Sequence, residues 1–180
     1  MRKIVFILII SLPVLLNITE AQKGEYSVDI GLSEGLFSNY SNYNNPFGGD
    51  FRVYKGLTSN GSLIFNLNFT QFHEVAVPTG GPLLISYKLG YKTLINNSRF
   101  SLSAAGGATF ILISTGSNPN KFSLNTGIGY SVPISKHNQI TLSSTYNIVF
   151  QNTNKLNWLD LTLSYGIPLP GLKKLFHKTK

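Results

Sequence analysis

Group-transfer chemistry on a lipid needs a nucleophile, a base and a carboxylate within hydrogen-bond reach of one another. The chain offers three histidines, His73, His137 and His177, and no two of them share a segment. His73, followed by Glu74, is the only plausible base, yet no serine stands in an H-x-S spacing with it. It reads as a solvated loop histidine. Isolated histidines without a carboxylate cluster cannot supply the three or four ligands of a metal site. The absence of cysteine excludes disulfides, zinc thiolate sites and a lipid-modified N-terminal cysteine. No catalytic residue, metal or cofactor is expected.

A second set of residues has polar chemistry in unusual surroundings. Asp29, Arg52, Lys88, Lys92 and Asp160 each interrupt an oily stretch, as Asp160 does in "NWLDLTLSYGIPL". What they do depends on which way the stretches point them. That question belongs to the elements.

The 180 residues suit one domain. Only 12% are charged, about half the share of an ordinary soluble domain. The net charge of +8 is not gathered on one element, so a nucleic-acid partner is not expected. The first residues, "MRKIVFILIISLPVLLNITEAQ", carry a basic start, an apolar run and small residues at Thr19 and Ala21. They read as a secretory signal peptide over residues 1–21, cut between Ala21 and Gln22. A retained anchor is the weaker reading, because the run is short and contains Pro13.

Beyond the signal, apolar and polar residues alternate with a period of two in eight segments: 25–37, 49–57, 62–72, 82–95, 100–113, 121–134, 139–151 and 158–169. In the eighth, Leu159, Leu161, Leu163, Tyr165 and Ile167 oppose Asp160, Thr162, Ser164 and Gly166. One face is bulky and apolar, the other small and polar. The connections alternate too: tight ones at "TSNG", "NNSR" and "SKHN", longer ones at 38–48, 73–81, 114–120 and 152–157. This predicts an all-β, eight-stranded antiparallel up-and-down barrel over residues 22–169, followed by a basic tail over 170–180.

Such a barrel has two versions. A soluble lipocalin-like carrier turns its apolar face inward around a hydrophobic ligand; a membrane barrel turns it outward to lipid. The polar face here is Gly, Ser, Thr and Asn rather than the Lys and Glu of a water-facing sheet, and it suits a cramped interior. Most segments supply the nine to eleven or so residues of a tilted membrane strand. Aromatics form two levels, Tyr26, Tyr91, Phe100, Tyr130 and Tyr165 toward the tight turns, and Phe37, Phe51, Phe69, Phe110, Phe122 and Phe150 toward the loops. Trp158 shares the parity of Asp160 and joins a belt only if its strand is irregular.

With the signal peptide added, the pattern resembles the small eight-stranded outer-membrane β-barrel family of Gram-negative bacteria, the OmpX-like and OmpA-transmembrane-domain-like proteins. The resemblance covers essentially the whole mature chain. It implies periplasmic termini and tight turns, external longer loops, outer-membrane lipid and the barrel-assembly machinery as partners, and a monomer with a structural or surface-interaction role. Members commonly end on an aromatic at the close of the last strand; here "PGLKKLFHKTK" follows Leu169. In the membrane version the alternation drives Asp29, Arg52, Lys88, Lys92 and Asp160 into the lumen. A network of Asp160, Arg52 and Lys88 that plugs it is expected, with Asp29 lower down, since unpaired buried charges carry a large desolvation penalty. A lipid-modifying enzyme based on His73 is the remaining alternative.

Overall fold

The computed structural model describes residues 24–38, 45–73, 81–96, 98–113, 116–135, 138–151 and 155–169. The signal segment with Ala21 and Gln22, the tail over 170–180, Glu74, His137 and His177 lie outside the described residues.

Eight strands follow one another: β1 (Tyr26–Ser38), β2 (Phe47–Gly56), β3 (Gly61–Gln71), β4 (Leu83–Leu94), β5 (Phe100–Ile113), β6 (Gly116–Pro133), β7 (Gln139–Phe150) and β8 (Lys155–Pro168). Each pairs antiparallel with the next, and β1 pairs with β8, so the sheet closes. Closure satisfies every strand edge inside the sheet, which hydrocarbon demands of a spanning structure. Hairpins close with Leu57 N–H donating to Gly61 O at 2.8 Å and Ile134 N–H to Asn138 O at 2.9 Å. Asn96 takes a left-handed φ of 51° in the β4–β5 turn, a conformation that asparagine tolerates better than most residues.

The period-two pattern decides which face is which. On β8, buried Asp160, Thr162, Ser164 and Gly166 alternate with exposed Leu161, Leu163, Tyr165 and Ile167. Leu32 is 65% exposed and Leu89 58%, while Ser86 and Ser123 are fully buried. The exterior is apolar and the interior polar. Soluble monomers rarely expose apolar patches beyond a few hundred Å², whereas this wall is apolar on every strand. A lipocalin-like carrier requires the reverse arrangement, so that reading falls.

Two expectations shift, and one conditional reading is decided. First, β6 begins at Gly116 rather than Lys121, and β5 and β6 pair on as far as Ile113↔Gly116. The register slips between Thr109 and Ile111, where one residue of β5 faces two of β6. Pro119 falls in that slip, and a residue with no N–H to give a ladder is tolerated at such a bulge. Second, β8 begins at Lys155 rather than Trp158. Third, β8 keeps its alternation through Trp158, which is fully buried inside the barrel. The irregularity is instead on β1, between Gly35 and Phe37.

Candidate functional site

Because neighbouring strands are in register, residues of one parity stack into rungs across the lumen. Asp29 on β1 pairs with Arg52 on β2, Arg52 with Asn66 on β3, and Asn66 with Lys88 on β4. Asp160 faces Thr145 of β7 and Gly35 of β1. The closed sheet therefore brings charges from β1, β2, β4 and β8 into one interior, as their parity demands.

Arg52 finds its acid two residues away on its own strand. Its Nη2 donates to Asp50 Oδ2 at 2.6 Å, and Nη1 reaches across to Ser143 Oγ at 3.4 Å. Two residues apart on a strand means the same face. The expected meeting of Arg52 with Asp160 is thus replaced by a local pair, and Asp50 is the acid that the sequence reading left out. The signal was present in "DFR", where Asp50 has the parity of Arg52.

Asp160 and Lys88 are linked through an amide rather than directly. Asn147 Nδ2 donates to Asp160 Oδ2 at 2.8 Å, and Lys88 Nζ donates to Asn147 Oδ1 at 3.3 Å. Lys88 is 2% exposed and Asp160 4%, so the relay joins two charges that are both out of reach of bulk water. Asparagine suits it because one side of the amide accepts while the other donates. Asp29, fully buried, lies in the field of Lys92 and Arg52 with the Tyr54 hydroxyl nearby. Lys92 Nζ stands 5.0 Å from the Tyr54 ring centroid, a cation–π arrangement. Opposite Asp29 is Gly166, where a Cβ would come within 2.5 Å of Asp29 Oδ1. The carboxylate occupies the space that glycine leaves.

Hydroxyls fill the remaining interior. Ser86 and Thr109 Oγ1 stand 2.7 Å apart, and Ser131 and Thr141 2.9 Å apart. A small cavity of about 30 Å³ remains among Arg52, Tyr54, Asn66, Lys92 and Thr141, room for about one water.

Above the charges, toward the longer connections, the lumen changes character. Phe72, Leu84, Ile111, Val149, Leu156 and Trp158 form one buried cluster. The Phe72 and Trp158 rings meet edge to face, centroids 5.6 Å apart at 85°, a favoured geometry for aromatic pairs. All six lie at or just beyond the loop-side ends of β3, β4, β5, β7 and β8. The sequence reading treated the inward face as uniformly small and polar and missed this layer. Its signal was the breakdown of alternation into apolar runs at those ends, "PLLI", "FILI" and "NIVF", where both faces are apolar.

The outward aromatics lie at two levels. Phe100 and Tyr130 pair at 4.8 Å near the tight turns, and Phe122 and Phe150 stack at 5.7 Å near the loops. Lys155 Nζ lies 5.4 Å from the Phe150 ring centroid. His73, just past β3, is exposed, and among the described residues no cluster of three or more His, Cys, Asp or Glu side chains could hold a metal.

No family model and no curated protein sequence matches the chain. Solved structures do. Ail, the attachment invasion locus protein of Yersinia pestis, superimposes with a TM-score of 0.55 at 19% identity, over 82% of this chain and 100% of that one. The outer membrane protein OprG of Pseudomonas aeruginosa gives 0.55 at 7% identity, over 84% and 99%. Neisserial surface protein A gives 0.51 at 16% identity, over 84% and 99%. The fold is that of the small eight-stranded outer-membrane barrels.

Proposed function

We propose that the protein is an integral outer-membrane β-barrel, monomeric and without enzymatic activity, whose sealed interior makes it a rigid mount for surface loops. The observation that carries this is the pairing of an apolar wall with a doubly filled lumen: a charged, hydrogen-bonded layer below and an apolar layer above. A lumen closed by two layers suits a scaffold better than a path for solute. What such a scaffold holds in place is the connections at that end, which by the resemblance face outward. They are long between β1 and β2 and between β3 and β4, but only two residues between β5 and β6 and four between β7 and β8, fewer than the sequence pattern predicts. Two neighbours carry names that fit a surface role, one an attachment invasion locus protein and one a surface protein. Lipid, and the assembly machinery during insertion, are the partners this reading requires. Two measurements test it. The protein should fractionate with the outer membrane and migrate faster unboiled than boiled on a denaturing gel, and in planar bilayers it should add no steady conductance. Recovery in the soluble periplasm, or stable ohmic steps from purified protein, would overturn it.

A further inference from the structure

The outer wall is not uniformly convex. On β5 the outward residues are large at Phe100 and Leu102, then nearly absent at Ala104 and Gly106, then large again at Phe110. The β5 backbone at 104–106 becomes the floor of a groove of about 720 Å³, walled by Leu63, Leu89 and Tyr91 on one side and Leu124, Tyr146 and Ile148 on the other. That volume falls within the range of about 300–1,000 Å³ that ligand pockets occupy.

We propose that this groove is a binding site for phospholipid hydrocarbon chain, held in place beyond the transient contact that the rest of the wall makes. The inference rests on the membrane reading above. Three observations select the occupant. The lining is almost wholly apolar, and two of its three hydroxyls, those of Thr126 and Tyr146 but not Tyr91, are engaged by the protein itself. Thr126 Oγ1 donates to Ser103 O at 3.2 Å, and the Tyr146 hydroxyl accepts from Asn157 Nδ2. A sugar or peptide would find few partners, whereas a hydrocarbon chain needs none. The size also fits: at about 30 Å³ for each water-sized group, the groove holds about two dozen methylene-sized units, enough for one chain and part of a second. Finally, a second copy of this chain fits poorly. A two-fold interface sets the same patch against itself, so groove would face groove and leave a void. Each unfilled surface there forfeits its dispersion contacts.

The test uses the full mature chain in phosphatidylcholine vesicles containing a little phospholipid with a diazirine in mid-chain. After irradiation, adducts are mapped by mass spectrometry. Leu89 and Leu124 should carry more label than Leu32 and Leu163 on the opposite wall, by about threefold or more. The variant Ala104→Leu with Gly106→Leu should abolish that excess. At Gly106 the first atom a Cβ meets is the flexible Leu124 Cδ2 at 3.0 Å, with Phe122 and the Ser123 carbonyl oxygen at 3.9 Å, so the backbone leaves room there. Should it fail to fold, the wild-type map still decides. Even labelling around the wall overturns the groove, as does a chain-to-chain crosslink through Leu89 or Leu124. If the protein does not float with the vesicles, the membrane reading itself falls and the groove with it.

Discussion

Trp158 is the only tryptophan in the chain, so its fluorescence reports one position. Tryptophans of membrane barrels tend to sit in the interfacial belts, but this one is fully buried inside, packed on Phe72. Its emission should be blue-shifted and little quenched by lipids brominated near the headgroup, because the barrel wall separates ring from lipid. Strong quenching by such lipids would put the ring outside. Trp158→Ala should cost about 3–5 kcal/mol in urea unfolding from vesicles. The charged residues next to it make a second prediction. Removing one member of a buried pair strands the other, at about 3–5 kcal/mol, so Asp160→Asn and Lys88→Met should each be severe. The double variant should cost clearly less than their sum, because neither charge is left without the other across Asn147. Additive losses would sink the coupling. At this scale the sequence was legible by parity alone: Asp29, Arg52, Lys88 and Asp160 are where alternation puts them. Which acid meets which base was not, since Asn147 as relay and Asp50 as local partner depend on side-chain reach across the lumen.

The strands themselves were legible where alternation is clean and illegible where it stops. β4 and β7 lie within a residue of their expected bounds, because hairpin residues punctuate them. β6 starts five residues early, since "GSNPN" reads as loop until a bulge absorbs its proline. Adjacent glycines on β5 give a test of element geometry. A Cβ at Gly107 would come within 2.1 Å of Tyr87 O and 2.7 Å of Lys88 Cα, both backbone. Neither can yield without parting β4 from β5. At Gly106 the nearest atom is a leucine methyl at 3.0 Å. Gly107→Ala should therefore destabilise the barrel by at least about 1–3 kcal/mol, while Gly106→Ala stays within about 0.5 kcal/mol of the parent. Urea midpoints in vesicles measure both, and equal values would refute the close approach of the two strands on the lumen side.

For the whole molecule, the decisive property is the inversion of inside and outside, and composition carried it. A face of Ser, Thr, Asn and Gly cannot serve as a water-facing sheet surface without inviting association, yet it fills a narrow barrel well. What composition could not carry was the layering of that interior, because the apolar cluster is assembled from one or two residues at each of five strand ends. The layering has a consequence for conduction. Trp158 is one inward position above Asp160 on β8, and Val149 one above Asn147 on β7, so on the proposed reading the apolar cluster and the charged layer stand in series along one axis. In a series arrangement either block suffices. Phe72→Ala with Trp158→Ala should leave planar-bilayer conductance at baseline, since Arg52, Lys88 and Asp160 still fill the section below. Arg52→Ala with Asp50→Ala should do the same, since the aromatic pair still excludes water above. Only the four changes together with Lys88→Ala and Asp160→Ala, which empty both layers, should admit a measurable ion current. A current from the aromatic double variant alone would mean that the charged layer is no seal, and that the apolar cluster alone keeps the barrel shut.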